Sequence, residues 1–289
     1  MPSPGARRPA VIVVSSHVAR GSVGNRAAVF ALEALGFPVW AVPTVILPWH
    51  PGHGLATRIV PPAEQFAALL SDLAGSPWLG EVGAVLSGYL GEAGQAEAVA
   101  SLVDAVRARN PGALYVCDPV MGDSAGLYVP ETTAAAIRDR LVPIADIATP
   151  NRYELEWIVG RKLPDMGATA AAARLAGPAS MLVTSAPPAL NGRIANLLVT
   201  GETTLLAEHA TVARPPNGLG DLTAALYLAR ILDGGTPPEA LRSTTAAVYD
   251  ILTRTVARGG DELQLETDSA CLSHPAATVE LHELAHPRR

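Results

Sequence analysis

The chain has 289 residues, of which 49% are apolar and 17% are charged, and its formal net charge is −6. This length and apolar content allow a large buried core, in one α/β domain or in two smaller ones. Basic residues do not cluster beyond the first eight positions. This distribution argues against nucleic acid or a membrane surface as a partner, because both require concentrated positive charge.

Lysine and cysteine usage excludes further classes of protein. Lys162 is the only lysine, so the chain lacks the Gly-Lys-Ser/Thr string of a Walker P-loop. Cys117 and Cys271 are the only cysteines, which is too few for a disulfide framework. They predict a reducing environment, with the cytoplasm as the expected location.

Short apolar runs alternate with segments of helical length along most of the chain. Strands are predicted at residues 11–15, 39–45, 82–87, 114–117, 144–148 and 180–184. Helices are predicted at residues 25–35, 63–73, 93–107, 131–141 and 151–159. The alternation predicts an α/β fold with a central, mostly parallel β-sheet and helices on both faces.

The C-terminal third differs from this alternation. Residues 194–200 and 203–209, joined by Gly201-Glu202, predict a hairpin at the edge of the sheet, and helices follow at 219–232 and 238–257. We expect a flexible N-terminus at residues 1–8 and a single domain at residues 9–285 without a separate lid domain. The last few residues, from His286 onward, are predicted to be frayed.

The sequence Gly218-Leu219-Gly220-Asp221 opens the first of these two helices. Two glycines before a helix leave backbone N–H groups pointing outward, and together with the helix dipole these groups suit a phosphate. An aspartate one residue further could accept a proton from a hydroxyl held against that phosphate. The alternative is that Asp221 only complements the helix dipole.

Two acidic motifs follow predicted strands, where ligands of parallel sheets bind. In Asp118-Pro119-Val120-Met121-Gly122-Asp123, Asp118 could hold Mg²⁺ or its waters, or the segment could be an ordinary Asp-Pro turn. In Thr149-Pro150-Asn151-Arg152-Tyr153-Glu154, Asn151 and Glu154 have the spacing of a helix capping box. Their alternative role is to face metal-bound phosphates.

Two glycine-rich segments near the N-terminus complete the candidate motifs. Ser16 lies between a strand and the turn Gly21-Ser22-Val23-Gly24-Asn25, and it could contact a ring substituent or cap the turn. His50 and His53 lie in the loop Trp49-His50-Pro51-Gly52-His53-Gly54. A mobile flap is favoured here over a metal pair, because a third ligand is lacking nearby.

The order of these motifs, with Leu86-Ser87-Gly88-Tyr89-Leu90-Gly91 between them, resembles the pyridoxal kinases of the ribokinase superfamily. The resemblance runs from about Val11 to His274 and includes Asp261-Glu262-Leu263-Gln264. It implies an ATP-dependent kinase that phosphorylates the 5′-hydroxymethyl group of pyridoxal or a related B6 vitamer. It also implies Mg²⁺, a monovalent cation such as K⁺, and a homodimer.

The resemblance assigns a role to each matching position. Asp221 would be the catalytic base, with the amides of Gly218, Leu219, Gly220 and Asp221 as the anion hole. The vitamer would contact Ser16, His50, Tyr89 and Asp221. ATP would contact Asp118, Asn151, Glu154, Thr184, Ser185, Gly218 and Gly220, and Mg²⁺ would lie near Asp118, Asp123 and Glu154.

Two departures from the family pattern leave alternatives open. The flap reads Pro48-Trp49-His50-Pro51 where relatives carry a polar Ser-Asn-His-Thr run, and Leu219 stands where threonine or valine is frequent. A kinase for hydroxymethylpyrimidine or another small hydroxymethyl compound is therefore one alternative. A protein that binds B6 vitamers without turning them over is another.

Overall fold

A computed structural model describes residues 8–284 of the chain. The strands are β1 (Ala10–Val18), β2 (Val39–Leu47), β3 (Val82–Ser87), β4 (Leu114–Cys117), β5 (Gly122–Asp123), β6 (Gly126–Leu127), β7 (Ile147–Ala148), β8 (Ser180–Ala186), β9 (Arg193–Thr200), β10 (Thr204–Ala210) and β11 (Leu281–Glu283). The helices are α1 (Asn25–Ala34), α2 (Ala63–Ala74), α3 (Gln95–Arg109), α4 (Glu131–Ala136), α5 (Arg152–Val159), α6 (Met166–Leu175), α7 (Leu219–Leu232), α8 (Pro237–Ala257) and α9 (Ser269–Ser273).

Within residues 8–284, nine strands form one sheet in the order β11-β10-β9-β8-β7-β4-β3-β1-β2. The strands from β2 to β8 in this order pair in parallel, whereas β9, β10 and β11 pair antiparallel. The two-stranded hairpin of β5 and β6 stands apart from this sheet. The predicted α/β class with a mostly parallel central sheet is therefore confirmed.

The alternation of side chains along β1 places helices on both faces of the sheet. Val11 and Val13 point into a core that they share with α1, α7 and α8. Ile12 and Val14 point to the opposite face, where they pack with α2 and α3. All four side chains are fully buried, which explains why this strand is a continuous apolar run instead of an alternating one.

Some elements differ from the sequence predictions. The predicted hairpin is present as β9 and β10, but the three-residue β11 pairs with the outer side of β10, so the hairpin is not the edge of the sheet. The predicted helix at 131–141 is α4 followed by a π turn, Ile137–Leu141. Both the short β5–β6 hairpin and α6 were missed, since two-residue strands and an alanine-rich segment give little periodic signal.

The two chain ends are described only in part. Of the predicted flexible segment at residues 1–8, residues 1–7 lie outside the described part, and so do the terminal residues 285–289. Arg8 is described: its guanidinium bonds Asp233 at 3.2 Å and lies over the Phe37 ring at 4.6 Å. Between residues 8 and 284, no helix is long and apolar enough to cross a membrane.

Candidate active site

The parallel strands bring their carboxyl ends, and the polar residues that follow them, to one edge of the sheet. Ser16 lies near the end of β1, Ser87 ends β3, and Asp118, Thr149 and Thr184 lie at the ends of β4, β7 and β8. Backbone bonds continue the strand spacing into these segments, as in the 2.8 Å bond from Asp118 N–H to Ser87 C=O. Motifs that are far apart in sequence therefore meet in one cleft region.

The N-terminus of α7 also reaches this region. Gly218 precedes the helix with φ 93°, a left-handed conformation that glycine adopts without steric cost. A Cβ at this position would lie 2.1 Å from the carbonyl oxygen of Ser22, so the turn after β1 packs directly against the start of the helix. A Cβ at Gly220 would meet nothing within 4 Å. The first turn of α7 therefore has open space beside Gly220, and a helix N-terminus is a site that favours an anion.

Asp221 projects from the first turn of α7, and its carboxylate accepts hydrogen bonds from the N–H of Gly24 and from its own N–H. The residue as a whole is partly exposed, whereas its carboxyl group is surrounded by protein atoms. Burial raises the pKa of this carboxyl to about 6. Asp221 therefore keeps the ability to take up a proton at a pH close to neutrality, as a general base requires.

Asp118 lies close to Asp221. The two carboxyls line one small cavity of about 10 Å³, room for roughly one water molecule, together with Ser15 and Gly88. Thr149 Oγ1 donates a 2.8 Å hydrogen bond to Asp118. Burial, and secondly the charge of Asp221, raise the pKa of Asp118 to about 8, although the Thr149 bond acts in the opposite direction. Two buried carboxylates without a nearby cation form a site that a positive charge would stabilise.

We expect Asp118→Asn to stabilise the metal-free, nucleotide-free protein in a pH-dependent way. The folded pKa of about 8 lies above the model value of 3.8, so only the unfolded chain loses its proton as pH rises between these values. Wild-type stability must therefore fall across that window, and the asparagine variant lacks this loss. Melting curves in chelator should show the variant's advantage growing to several degrees at pH 8.

The exposed helical Asp104 supplies the control for that experiment. Asp104→Asn removes one carboxylate of the same type without touching the cavity, so its melting temperature should follow that of the wild type at every pH. A difference in melting temperature between Asp118→Asn and wild type that stays constant across the pH range would contradict a raised pKa of Asp118 in the folded protein.

Glu154 and Asn151 form the capping box that their spacing predicts. Asn151 Oδ1 accepts from Glu154 N–H at 2.9 Å, and Glu154 Oε2 accepts from Asn151 N–H at 2.8 Å. The other Glu154 oxygen accepts from the N–H of Met121 at 2.9 Å, and Asn151 Nδ2 donates to the C=O of Gly122 at 2.8 Å. Both side chains therefore also hold the loop that follows Asp118. Burial, and secondly the charge of Asp118, raise the pKa of Glu154 well above its usual range.

The three predicted metal ligands are differently placed. Asp118 faces the cavity beside Asp221, Glu154 is occupied by backbone N–H groups, and Asp123 Oδ1 accepts from Ala125 N–H at 2.7 Å within the β5–β6 turn. In the described part of the chain, no three His, Cys, Asp or Glu side chains could hold a metal ion together. Mg²⁺ commonly binds through one or two carboxylates plus substrate phosphates, so this arrangement fits a metal that arrives with a nucleotide.

Thr184 and Ser185 lie near the carboxyl end of β8, beside the capping box. Thr184 N–H donates to the C=O of Pro150 at 2.9 Å and forms an isolated parallel bridge with Asn151. Ser185 is exposed and has φ 51°, an uncommon conformation for a residue other than glycine. Both residues thus lie next to Asn151, on the side where the nucleotide is expected.

The residues predicted to contact the vitamer come from three other segments. The buried Ser16 packs against Gly24, since a Cβ on that glycine would lie 2.3 Å from Ser16 Oγ. The backbone N–H of Tyr89 donates to Ser15 Oγ at 3.2 Å. His50 caps the one-turn 3₁₀ helix of the flap, and burial lowers its pKa. Gly24, which Ser16 contacts, donates to the Asp221 carboxylate, and a Cβ on Gly88, next to Tyr89, would lie 3.8 Å from Asp221 Oδ1.

Sequence reasoning assigned no role to Glu262, which the structure places beside this site. Its side chain is buried, and Oε1 lies 2.7 Å from Nε2 of His53 in the flap. The two residues are 209 positions apart, so no local pattern could have paired them. The available signal was that Glu262 belongs to the stretch that carries the family resemblance.

A wider surface groove of about 530 Å³ lies along α5 and shares no lining residue with the small cavity. Its charged side chains are largely paired: Lys162 Nζ bonds Glu156 at 2.8 Å, and Arg138 bonds Asp139 and lies over the Trp157 ring. The single lysine therefore stabilises a helix end and is remote from the cavity of Asp118 and Asp221.

Comparison with known proteins agrees with this geometry. The family model of phosphomethylpyrimidine kinase matches residues 57–265. Pyridoxal kinase PdxY of Rubrobacter xylanophilus is 39% identical over 95% of this chain and 97% of its own length, and that of Pseudomonas syringae pv. tomato is 38% identical over 95% and 98%. The pyridoxal kinase of Leishmania donovani in complex with ADP and pyridoxamine superposes with a TM-score of 0.90 at 26% identity, covering 96% of this chain and all of that one. The chain therefore belongs to the pyridoxal kinases, with their ribokinase-like fold.

Proposed function

We propose that this enzyme transfers the γ-phosphoryl group of ATP to the 5′-hydroxymethyl group of pyridoxal, giving pyridoxal 5′-phosphate and ADP. The observation that carries the proposal is the placement of Asp221, with a pKa raised to about 6, in the first turn of a glycine-led helix that has open space beside Gly220. A phosphate at these N–H groups and a hydroxyl at the Asp221 carboxylate would be close neighbours.

The proposed reaction needs a base and an anion site. Asp221 accepts the proton of the 5′-hydroxyl, whose oxygen forms a bond to the γ-phosphorus as the bond from that phosphorus to the β–γ bridging oxygen breaks. The backbone amides of Gly218, Leu219 and Gly220 and the positive end of the helix dipole stabilise the negative charge on the transferring group. These groups take the place of a P-loop lysine, which the chain lacks.

Asp118 is the side chain best placed to hold Mg²⁺, because it lies beside Asp221 and because burial, and secondly the charge of Asp221, raise its pKa, an effect that a bound cation would offset. When bound with ATP, Mg²⁺ supplies positive charge to the phosphate oxygens. Glu154 holds the loop after Asp118 through its bonds to Met121 and Gly122, and Asn151, Thr184 and Ser185 border the nucleotide. This division leaves Glu154 a positioning role, and Asp123 shapes the adjoining turn.

On the vitamer side, Ser16 is placed to contact a polar ring substituent, and Tyr89 and His50 to border the ring. The expected K⁺ or similar cation, the homodimer, the single domain at 9–285 and the cytoplasmic location remain predictions. Each follows from the family resemblance or from composition, and each has its own direct measurement. Turnover with and without K⁺ and sedimentation velocity address the first two.

A hydroxymethylpyrimidine substrate is the competing proposal, and the phosphomethylpyrimidine kinase name of the matching family model supports it. The relatives that are 38–39% identical over nearly the full chain bear the pyridoxal kinase name, which favours pyridoxal. Binding of a vitamer without turnover is a weaker alternative, because a pure binder has no need for a base at Asp221.

A panel of substrates separates these possibilities. ADP formation should be measured with Mg·ATP and K⁺ in the presence of pyridoxal, pyridoxine, pyridoxamine or hydroxymethylpyrimidine. We expect robust turnover with pyridoxal. Turnover with hydroxymethylpyrimidine alone would replace the proposed substrate, and tight pyridoxal binding without ADP formation would identify a vitamer-binding protein.

A further inference from the structure

Glu262 occupies a junction between three segments that border the proposed site. It is buried, although it carries a carboxylate, and its Oε1 lies 2.7 Å from Nε2 of His53. Its Oε2 accepts from the N–H of Ser22 at 3.4 Å, and a Cβ on Gly21 would lie 2.6 Å from this carboxylate. The two atoms are within hydrogen-bonding distance, with the His53 ring as the donor when Nε2 carries the proton.

One side of the junction is the flap between β2 and α2. His53 ends the one-turn 3₁₀ helix of the flap, and its own N–H donates to His50 C=O at 2.9 Å. The indole of Trp49 donates to Gly54 C=O at 3.1 Å and closes the same turn. A Cβ on Gly52 would lie 3.4 Å from the Asn217 side chain, directly before the anion-hole glycine. The flap is therefore a compact turn that reaches the proposed anion hole.

The other side of the junction is the turn after β1. Ser22 Oγ donates to Leu263 C=O at 2.8 Å, which fixes the turn to the residue that follows Glu262. The Ser22 carbonyl packs against Gly218, and the N–H of Gly24 donates to Asp221. The turn that Glu262 holds therefore carries direct contacts to both the anion hole and the base.

Charged groups around this junction come from each segment. Arg20 forms an exposed pair with Asp261 at 2.8 Å and approaches Glu262 at 3.9 Å. The pKa of the second flap histidine, His50, is lowered mainly by burial, while the charge of Glu262 raises it and that of His53 lowers it. The Arg20–Asp261 pair is solvent-exposed and contributes little. Glu262 is the buried member of this group, and its side chain bonds both the flap and the turn. The backbone N–H of Arg20 also joins the turn to the flap, by donating to the C=O of Pro48 at 2.9 Å.

We propose that Glu262 is a positioning residue for phosphoryl transfer, which latches the flap through His53 and holds the turn that supports Gly218 and Asp221. The proposal rests on the proposed function for its kinetic consequences, but the latch itself does not depend on the substrate. The bond between flap and carboxylate joins a buried glutamate to a histidine at the surface, and a hydrogen bond to a carboxylate is stronger than one between neutral groups.

The latch is tested by hydrogen exchange of the flap in the full-length protein without ligands. In wild type, the N–H groups of His53 and Gly54 are bonded within the flap turn and should exchange slowly. Glu262→Gln and His53→Gln should each speed their exchange about tenfold, the lower range of what a hydrogen bond to a charged group contributes. Asp261→Asn, which alters the neighbouring exposed acid, should leave it unchanged.

The positioning role is tested by kinetics of the same variants with Mg·ATP and pyridoxal. Glu262→Gln keeps an oxygen for the Ser22 N–H but loses the charged acceptor for His53, so KM for pyridoxal should rise about tenfold with kcat within about twofold. Glu262→Ala also loses the Ser22 contact, and kcat should then fall too. The double variant Glu262→Gln/His53→Gln should be no worse than either single variant, because both remove one interaction.

The outcomes separate this proposal from the proposed function. Faster flap exchange with no turnover of pyridoxal by wild type would keep the latch and reject pyridoxal as the substrate. Unchanged flap exchange in both glutamine variants would overturn the latch whatever the activity. A lowered melting temperature with unaltered KM and kcat, or additive effects in the double variant, would show that Glu262 is only structural.

Discussion

Asp221→Asn is expected to lower kcat for pyridoxal phosphorylation by about 10² or more, the scale of lost general-base catalysis. The amide cannot accept the hydroxyl proton, but its oxygen can still accept from Gly24 N–H, so the turn should remain in place. Because the carboxyl is buried and its pKa is raised to about 6, removing its charge should not destabilise the fold. Steady-state kinetics measure the loss of kcat, and circular dichroism measures whether the fold is retained. ATP titration measures whether the variant still binds nucleotide.

The pH profile provides the control for this variant. The base works only when ionised, so wild-type kcat/KM should rise with pH through about 6 and then level off. In Asp221→Asn this rise should be absent from the residual rate. A variant that retains wild-type turnover, or that keeps the same rise with pH, would remove Asp221 as the base.

Gly218→Ala is expected to reduce kcat by about 10²–10³, the cost of losing a donor from an anion-stabilising site. The added Cβ would lie 2.1 Å from the Ser22 carbonyl, so either the turn after β1 or the start of α7 must move. The left-handed φ of 93° adds a backbone cost of about 1–2 kcal/mol for any residue with a Cβ. Activity and melting temperature should therefore both fall.

Gly234→Ala is the control that separates the backbone cost of a left-handed φ from the steric contact with Ser22. Gly234 follows α7 with φ 84°, close to the value at Gly218, but a Cβ there would meet nothing within 4 Å. This variant should lose about 1 kcal/mol of stability from backbone strain with unchanged kinetics. If Gly218→Ala matched it in both stability and kcat, the packing of Ser22 against the anion hole would have no importance.

The parts of the fold that were predictable from the sequence have a strong local cause. Strands buried on both faces read as unbroken apolar runs, and the bounds of β3 and β4 were predicted to the residue. Helix α7 was equally well bounded, because glycines precede it and an apolar face continues through it. Elements of two or three residues, such as β5, β6 and β11, carry too little pattern to be recognised.

The site was predictable only as a set of segments. The sequence placed Asp118, Asn151, Glu154 and Asp221 at strand ends and a helix start, which the structure brings to one edge of the sheet. Whether Glu154 faces metal-bound phosphates or caps a helix depends on three-dimensional contacts, and the structure shows the capping box together with two further backbone donors. The closeness of Asp118 to Asp221 is likewise a product of topology.

The structure describes both places where the sequence departs from the family pattern, the flap and Leu219. The Pro/Trp-rich flap folds into one 3₁₀ turn, Pro51–His53, closed by Trp49 and held by Glu262 through His53. Leu219 packs partly against the core beneath α7, and only its backbone N–H could serve the proposed anion hole, because leucine has no hydroxyl. The flap is thus a proline-bounded turn whose last residue, His53, contacts a buried carboxylate.

The most direct test of phosphoryl transfer to pyridoxal at this site is a single-turnover reaction of the enzyme. The reaction contains ATP labelled in its γ-phosphoryl group, Mg²⁺, K⁺ and pyridoxal. If the enzyme transfers the γ-phosphoryl group to pyridoxal, the label should appear in pyridoxal 5′-phosphate at the rate of ADP formation. If Asp221 is the base, Asp221→Asn should slow this appearance by about 10² or more. Label recovered only in inorganic phosphate, or left in ATP while pyridoxal is bound, would contradict phosphoryl transfer to pyridoxal at this site.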